Sequence, residues 1–293
     1  MEKLIQLTLS GIASGAIFAL VALGFVLIYK SSDVINFAQG ELLLIGAYLT
    51  YTTVEMIGLW WPIGVVVAVA LAAIIGVLIE QLVLRPLIGE PTISVIMVTI
   101  GLSSLLRAII GGVWGVTPKT APQFLPRDTI TLFGANVGVD RLWAIALALT
   151  LFALLTLFFR YGREGIAMRA VADDQQAALS MGISVKKVWA VAWAIAAVTA
   201  SVGGILLMSI FGGVSGQIAR VGLLVFPVVI LGGLDSVPGA IVGGLIIGLL
   251  QSFAGGYLPP ELGMGEVVPF IVLLLILLVR PYGLFGQRII ERV

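Results

Sequence analysis

The chain has 293 residues, 60% of them apolar and 11% charged, with 16 Lys and Arg against 15 Asp and Glu. A soluble domain carries about 25% charged residues, and a mean hydropathy of +1.18 leaves too little polar surface to hide the rest, so the chain reads as a polytopic membrane protein. The absence of Cys and His excludes disulfides, thiolate and imidazole metal sites, Cys/His nucleophiles and histidine proton relays, and the lack of basic clusters excludes a nucleic-acid partner.

Crossing the hydrocarbon takes about 20 apolar residues in a helix. Leu4–Tyr29 carries no charge and reads as a retained first span rather than a signal segment. A second span is predicted from about Asn36 to Ile57, a third from Pro62 to Leu84 and a fourth from Thr92 to Val113. The segment 114–140 holds Pro118, Pro122 and Pro126 and reads as a polar loop. Leu142–Phe159 is the fifth span, and the charged stretch 160–187 follows. Val188–Ala219 has room for a sixth span and a Gly-rich exit. Val221–Tyr257 divides into two short apolar runs around Gly232–Gly239, either two spans or a re-entrant, broken pair. Leu262–Val279 is the last. The fold class expected is an all-α polytopic integral membrane protein of about eight transmembrane segments, one of them re-entrant or broken, forming a single domain over 1–293.

Lys and Arg in short loops set the orientation. If the 160–187 loop is cytoplasmic, Lys30, Arg85, Arg160, Arg163, Arg169, Lys186, Lys187, Arg280, Arg288 and Arg292 share its side. Lys3, Lys119, Arg127, Arg141 and Arg220 fall on the other, and Arg107 lies inside span four. The N-terminus is then outside and the C-terminus inside, with 114–140 outside. Trp60, Trp61, Trp114 and Trp143 then fall at the outer interface as an aromatic belt.

No P-loop, dinucleotide-binding glycine motif, nucleophile elbow or zinc motif is present, and no stretch is long enough for a soluble catalytic domain. The chain is therefore expected not to be an enzyme. Within the 160–187 loop, Gly165–Gly182 predicts a short amphipathic helix pair that breaks near Asp173 and Asp174 and is capped by Gly182. Ile166, Ala170, Ala177, Leu179 and Ile183 form its expected apolar side, and Arg169, Asp173 and Gln176 its polar side. It is either a solvated connector or a docking helix, with small Ala170, Ala177 and Ala178 entering a partner's groove.

Gln176-Ala177-Ala178-Leu-Ser-Met-Gly182 resembles the E-A-A-x-x-x-G coupling motif of ATP-binding cassette (ABC) importer permeases, with Gln in place of the leading Glu. Two more segments extend the likeness. Ile35-Asn36-Phe37-Ala38-Gln39-Gly40-Glu41, followed by Gly46-Ala47-Tyr48, and Gly232-Gly233-Leu234-Asp235-Ser236-Val237-Pro238-Gly239-Ala240 resemble those of branched-chain amino acid ABC permeases of the LivH type. Asp235 replaces that family's commoner Gly. The resemblance covers essentially the whole chain. It implies a permease subunit importing Leu, Ile and Val across the bacterial inner membrane, with 160–187 as a cytoplasmic coupling loop. Its implied partners are a second, LivM-type permease, two cytoplasmic ATPases that carry ATP and Mg, a periplasmic binding protein, and membrane lipid. No cofactor is expected on this chain. Relatives that import urea or short amides share the scaffold. From another class, a stand-alone ion-coupled transporter would need a carboxylate relay, and Glu41, Glu80 and Asp235 are scattered.

The ATPase-coupling candidates are Gly165, Arg169, Ala170, Asp173, Gln176, Ala177, Ala178 and Gly182. Asn36, Gln39 and Glu41, near the inner end of span two, either cap its helix or line a pathway. Gly232, Gly233, Asp235 and Ser236 form either a structural turn or a gate at membrane depth, with Asp235 capping the helix that follows. Glu80 is expected to snorkel, with Arg85 as its partner, and Arg107 to snorkel or meet another subunit. Gly11-x-x-x-Gly15, Gly239-x-x-x-Gly243 and Gly244-x-x-x-Gly248 are read as close helix contacts.

Overall fold

The computed structural model describes residues 1–120, 128–132 and 135–286. Pro122, Pro126, Arg127, Arg288 and Arg292 lie outside the described residues. Eleven α-helices occur among the described residues. Those flanking the first half are α1 (Glu2–Ser32), α2 (Gln39–Tyr51), α3 (Trp61–Ile79), α4 (Thr92–Trp114) and α5 (Val139–Tyr161). The second half holds α6 (Arg163–Asp173), α7 (Gln175–Ser180), α8 (Val185–Phe211), α9 (Gln217–Gly232), α10 (Val237–Tyr257) and α11 (Met264–Val279). Six of them, α1, α3, α4, α5, α8 and α10, are long and apolar enough to cross a membrane, and α9 and α11 are shorter apolar helices. A π-helical turn extends α2 over Thr52–Met56, and another extends α3 over Glu80–Leu84.

α1 is the central post. Its residues from Ile17 to Ile28 are buried almost without interruption, against α8, α9 and α10. Small residues permit this approach. A Cβ on Gly15 would press on the backbone of Gly244, and one on Gly248 would overlap Gly15. The opposite edge of α10 meets α9, where a Cβ on Gly243 would overlap the Val228 carbonyl. α10 therefore uses Gly244 and Gly248 toward α1 and Gly239 and Gly243 toward α9, as the spacing predicted. Outer helices carry the opposite pattern. Leu82, Ile93, Met97, Leu149 and Leu278 are exposed apolar side chains on α3, α4, α5 and α11, the surface expected against lipid.

The ends of the bundle differ. One carries α6 and α7 and is called the coupling end after the role expected of that loop. The other carries two small antiparallel ladders that the all-helical reading did not foresee. β1 (Lys119–Thr120) pairs with β4 (Gly213–Val214), and β2 (Thr129–Leu132) pairs with β3 (Ala135–Gly138). The predicted Gly-rich exit of the sixth span is thus a strand, and α9 has already begun at Gln217. Trp60, Trp61 and Trp143 are exposed at this end, whereas Trp114 turns inward, stacks on Tyr48 at 5.0 Å and donates through Nε1 to Thr52 Oγ1 at 2.8 Å.

One expectation about depth is corrected. Span two does not start at the coupling end. After α1 ends at Asp33 the chain runs back through the irregular segment 33–38, and Gln39 Nε2 donates to the Val21 carbonyl at 3.4 Å. Val21 lies 11 residues before the end of α1, about 16 Å at 1.5 Å per residue. α2 is thus entered from within the bundle. The Gly232–Gly239 break lies at the coupling end of the bundle. Its turn packs beside Lys30, Arg160 and Arg169 at the coupling end, so α9 and α10 form a hairpin that reaches that end.

Candidate functional site

Irregular backbone within a bilayer survives only where protein satisfies its polar groups, and segment 33–38 meets that demand. Thr99 Oγ1 of α4 donates to the Ile35 carbonyl at 3.0 Å and accepts from the Phe37 amide at 3.4 Å. Asn36 Oδ1 accepts from the Ala38 amide at 3.0 Å, closing an Asx turn, while its Nδ2 donates to Gln39 Oε1 at 2.9 Å. Asn36 and Gln39 are fully buried and spend their side chains on this turn. Of the three polar residues singled out in the sequence, Glu41 stands on a cavity wall.

The Glu41 carboxylate is 3% exposed, and Arg107 of α4 donates to its Oε1 from Nη2 at 2.5 Å and from Nε at 3.2 Å. The guanidinium is 70% exposed. Both line a cavity of about 710 Å³ that runs from the start of α2 toward the ladder end, with Phe37, Gln217, Arg220 and Leu223 also on its walls. Gly40 and Gly222 touch backbone to backbone there, which lets the start of α9 close against the start of α2. The cavity thus holds two guanidiniums and one carboxylate beside apolar side chains. Sequence reasoning missed the partnership of Arg107 with Glu41 because the two are 66 positions apart. The expected Glu80–Arg85 pair does form, two-pronged at 2.8 and 3.1 Å, with Glu80 fully buried.

At the coupling end the break falls where the two aspartates placed it. Asp174 leaves helical geometry, and its Oδ1 accepts from the Gln176 and Ala177 amides at 2.8 and 2.9 Å, capping α7. Gly182, at φ +82°, ends α7. Its amide donates to the Leu179 carbonyl and that of Ile183 to the Ala178 carbonyl, both at 3.0 Å, a Schellman closure. The packed face differs from the one predicted. Met168, Val171 and Ala178 are buried against Val185, Val188 and Trp189 of α8, and Gly165 against the backbone of Phe158 and Phe159 of α5, whereas Ile166 and Leu179 are exposed. Ala178 therefore seats the loop on its own chain. Arg169, Asp173, Gln176 and Ala177 remain exposed, and Ala170 is half-buried. Lys187 Nζ reaches Glu164 Oε1 at 2.5 Å, and Trp189 Nε1 donates to the Ser31 carbonyl at 2.9 Å, tying α6, α8 and the end of α1 together.

The glycine turn between α9 and α10 is tightly packed. A Cβ on Gly232 would overlap the Gly239 carbonyl, and Gly233, at φ +108°, lies against Gly286. Leu284 and Phe285 donate their amides to the Leu231 and Gly232 carbonyls at 2.8 and 3.0 Å. The cap of α10 is Ser236, whose Oγ accepts from the Gly239 amide at 3.0 Å, and not the expected Asp235.

This arrangement, a helix begun inside the bundle beside a charged cavity and a seated helix pair at the far end, defines a multi-pass membrane permease component. Residues 7–277 match the family model described as "Branched-chain amino acid transport system / permease component". The chain belongs to that family and, like its members, is a transport subunit without catalytic chemistry of its own. It is 32% identical to the high-affinity branched-chain amino acid transport system permease protein LivH of Escherichia coli strain K12, over 99% of this chain and 97% of that one. It is 28% identical to BraD of Pseudomonas aeruginosa, over 99% and 98%. A probable LivH from Methanocaldococcus jannaschii is 30% identical over 92% and 89%. Among solved structures, PsaBC from Streptococcus pneumoniae in complex with Fab aligns with TM-score 0.52 at 16% identity, covering 96% of this chain and 93% of that one, a likeness of fold.

Proposed function

We propose that this chain is the translocating subunit of an ATP-driven importer for leucine, isoleucine and valine in the bacterial inner membrane. Its N-terminus and ladder end face the periplasm, and its coupling end and C-terminus face the cytoplasm, in keeping with the ten-to-five distribution of Lys and Arg. A second, LivM-type permease completes the pathway, two ATPases engage Arg169, Asp173, Gln176 and Ala177, and a binding protein delivers substrate to the ladder end.

One observation carries the reading. The cavity at the start of α2 sets the guanidiniums of Arg107 and Arg220 and the carboxylate of Glu41 beside Phe37 and Leu223. Such walls suit a zwitterion with a branched apolar side chain, and the Glu41–Arg107 pair, satisfied within the protein, holds it only weakly, so passage is not stalled. ATP-driven closure of the ATPases would move α6 and α7, and through Trp189 and Ser31 the coupling ends of α8 and α1, alternating access to this cavity. Gly232, Gly233, Asp235 and Ser236 act in this scheme as the turn that closes the cytoplasmic end.

The test is reconstitution of the chain with its second permease, ATPases and binding protein in proteoliposomes. ATP-dependent leucine uptake, competed by isoleucine and valine but not by urea or acetamide, is expected. Gradient-driven uptake by the chain alone, or competition by urea and short amides in place of leucine, would overturn the reading.

A further inference from the structure

A second cavity, of about 400 Å³, lies at the coupling end between α1, α5, α6 and the start of α10, and its deeper walls, Leu23, Leu27 and Leu155, belong neither to the cavity beside Glu41 nor to the coupling helices. Its composition is divided by depth. Lys30 stands in the last turn of α1 and Arg160 in the last turn of α5, with Arg169 of α6 beside them. One to two turns further into the bundle the walls are Leu23, Leu27 and Leu155. Asp235 is the one acidic side chain on the lining, so cations prevail three to one.

Two cations in the last turns of long apolar helices, with a third on α6 beside them and a floor of leucines beneath, match one ligand class. Basic pockets between transmembrane helices on the cytoplasmic side take anionic lipid headgroups, and the leucines offer a path for acyl chains. A soluble metabolite anion would need the cations but not the apolar floor. We infer that this cavity binds one anionic phospholipid, its phosphate on Lys30 and Arg160 and its chains along Leu23, Leu27 and Leu155. Because Met168 and Arg169 of α6 and Ser236 and Val237 of the α9–α10 turn share the lining, the lipid bridges the coupling helix to that turn.

The assembled transporter, purified with native lipid and exchanged into phosphatidylcholine, is examined by native mass spectrometry for retained phosphatidylglycerol. Lys30→Gln/Arg160→Gln should lower retention by roughly fivefold for each cation removed, while Arg163→Gln/Lys186→Gln, the same charge loss at the same end but off the lining, should not. Thr156→Trp, which fills the mouth beside the leucines without altering charge, should lower retention as well, and it serves if the double variant fails to fold. Equal loss in both charge variants would mean general attraction to the membrane surface and would overturn the site. Competition by glycerol 1-phosphate as effective as that by phosphatidylglycerol, with Thr156→Trp inert, would assign a soluble anion and overturn the lipid.

Discussion

Arg107 reaches across from α4 to place two hydrogen bonds on a single oxygen of Glu41, the one buried carboxylate at the start of α2. The pair is asymmetric, since Glu41 is enclosed and Arg107 is largely open to the cavity. Removing the two partners should therefore have different consequences. Arg107→Ala strands a buried charge and should destabilise the chain by about 2 kcal/mol, discounted from the fully buried case because the guanidinium is exposed. Glu41→Gln leaves an exposed cation and should cost little stability, yet it should slow leucine uptake by tenfold or more if the pair lines the pathway. Unfolding in detergent and uptake by the complex measure the two separately. Equal destabilisation by both changes would contradict the asymmetry.

The exposed and buried alanines of α7 should part company. Ala177→Trp enlarges a residue on the outer face, so the chain should stay folded while ATPase association falls at least tenfold in a pull-down. Ala178→Trp drives bulk into the seat on α8 and should cost about 1–3 kcal/mol of stability, the usual range for overpacking. If Ala177→Trp leaves association and uptake unchanged, α7 does not meet the ATPases.

Gly232→Ala should be poorly tolerated, because its methyl would collide with the Gly239 carbonyl. A loss of about 3 kcal/mol is expected at a contact between two backbones that cannot move apart. Gly101→Ala in α4, where an added Cβ meets nothing within 4 Å, should leave the melting temperature in detergent unchanged or raised. Similar melting temperatures for the two variants would refute the packing account of the turn.

Ser201 is fully buried on α8, and its Oγ has no hydrogen-bond partner among the described residues, although its backbone sits directly against Gly46 of α2. Deleting an unpartnered buried hydroxyl relieves a desolvation cost of about 1 kcal/mol. Ser201→Ala should therefore equal or exceed the parent in thermal unfolding. A drop of more than about 1 kcal/mol would show that the hydroxyl is satisfied in the assembled protein.

Signals confined to a few neighbouring residues were legible in the sequence. Asp173-Asp174 marked the helix break, Gly182 the cap, Glu80 and Arg85 their pairing, and the charge-free runs most of the spans. Legibility failed where the answer depended on depth or on distant chain. Hydropathy reports that Asn36–Ile57 is apolar, not that α2 begins beside Val21. The Glu41–Arg107 pair joins two helices separated by a complete span. The break at Asp174 resets the helical phase, so Leu179 of α7 does not continue the face of α6, and within α6 it is Met168 and Val171, not Ile166, that turn toward α8. Asp235 and Ser236 are both good capping types, and the start of α10 at Val237 selects Ser236.

Alternating access requires the cavity beside Glu41 and Arg107 to open and close with the ATPase cycle. The chain has no cysteine, so Ser103→Cys on the cavity wall supplies a single thiol that a membrane-impermeant maleimide can report in the reconstituted complex. Labelling from the periplasmic side is expected to change at least tenfold between the nucleotide-free and the vanadate-trapped states. Labelling that is identical in both states, with ATP hydrolysis and leucine uptake intact, would contradict the claim.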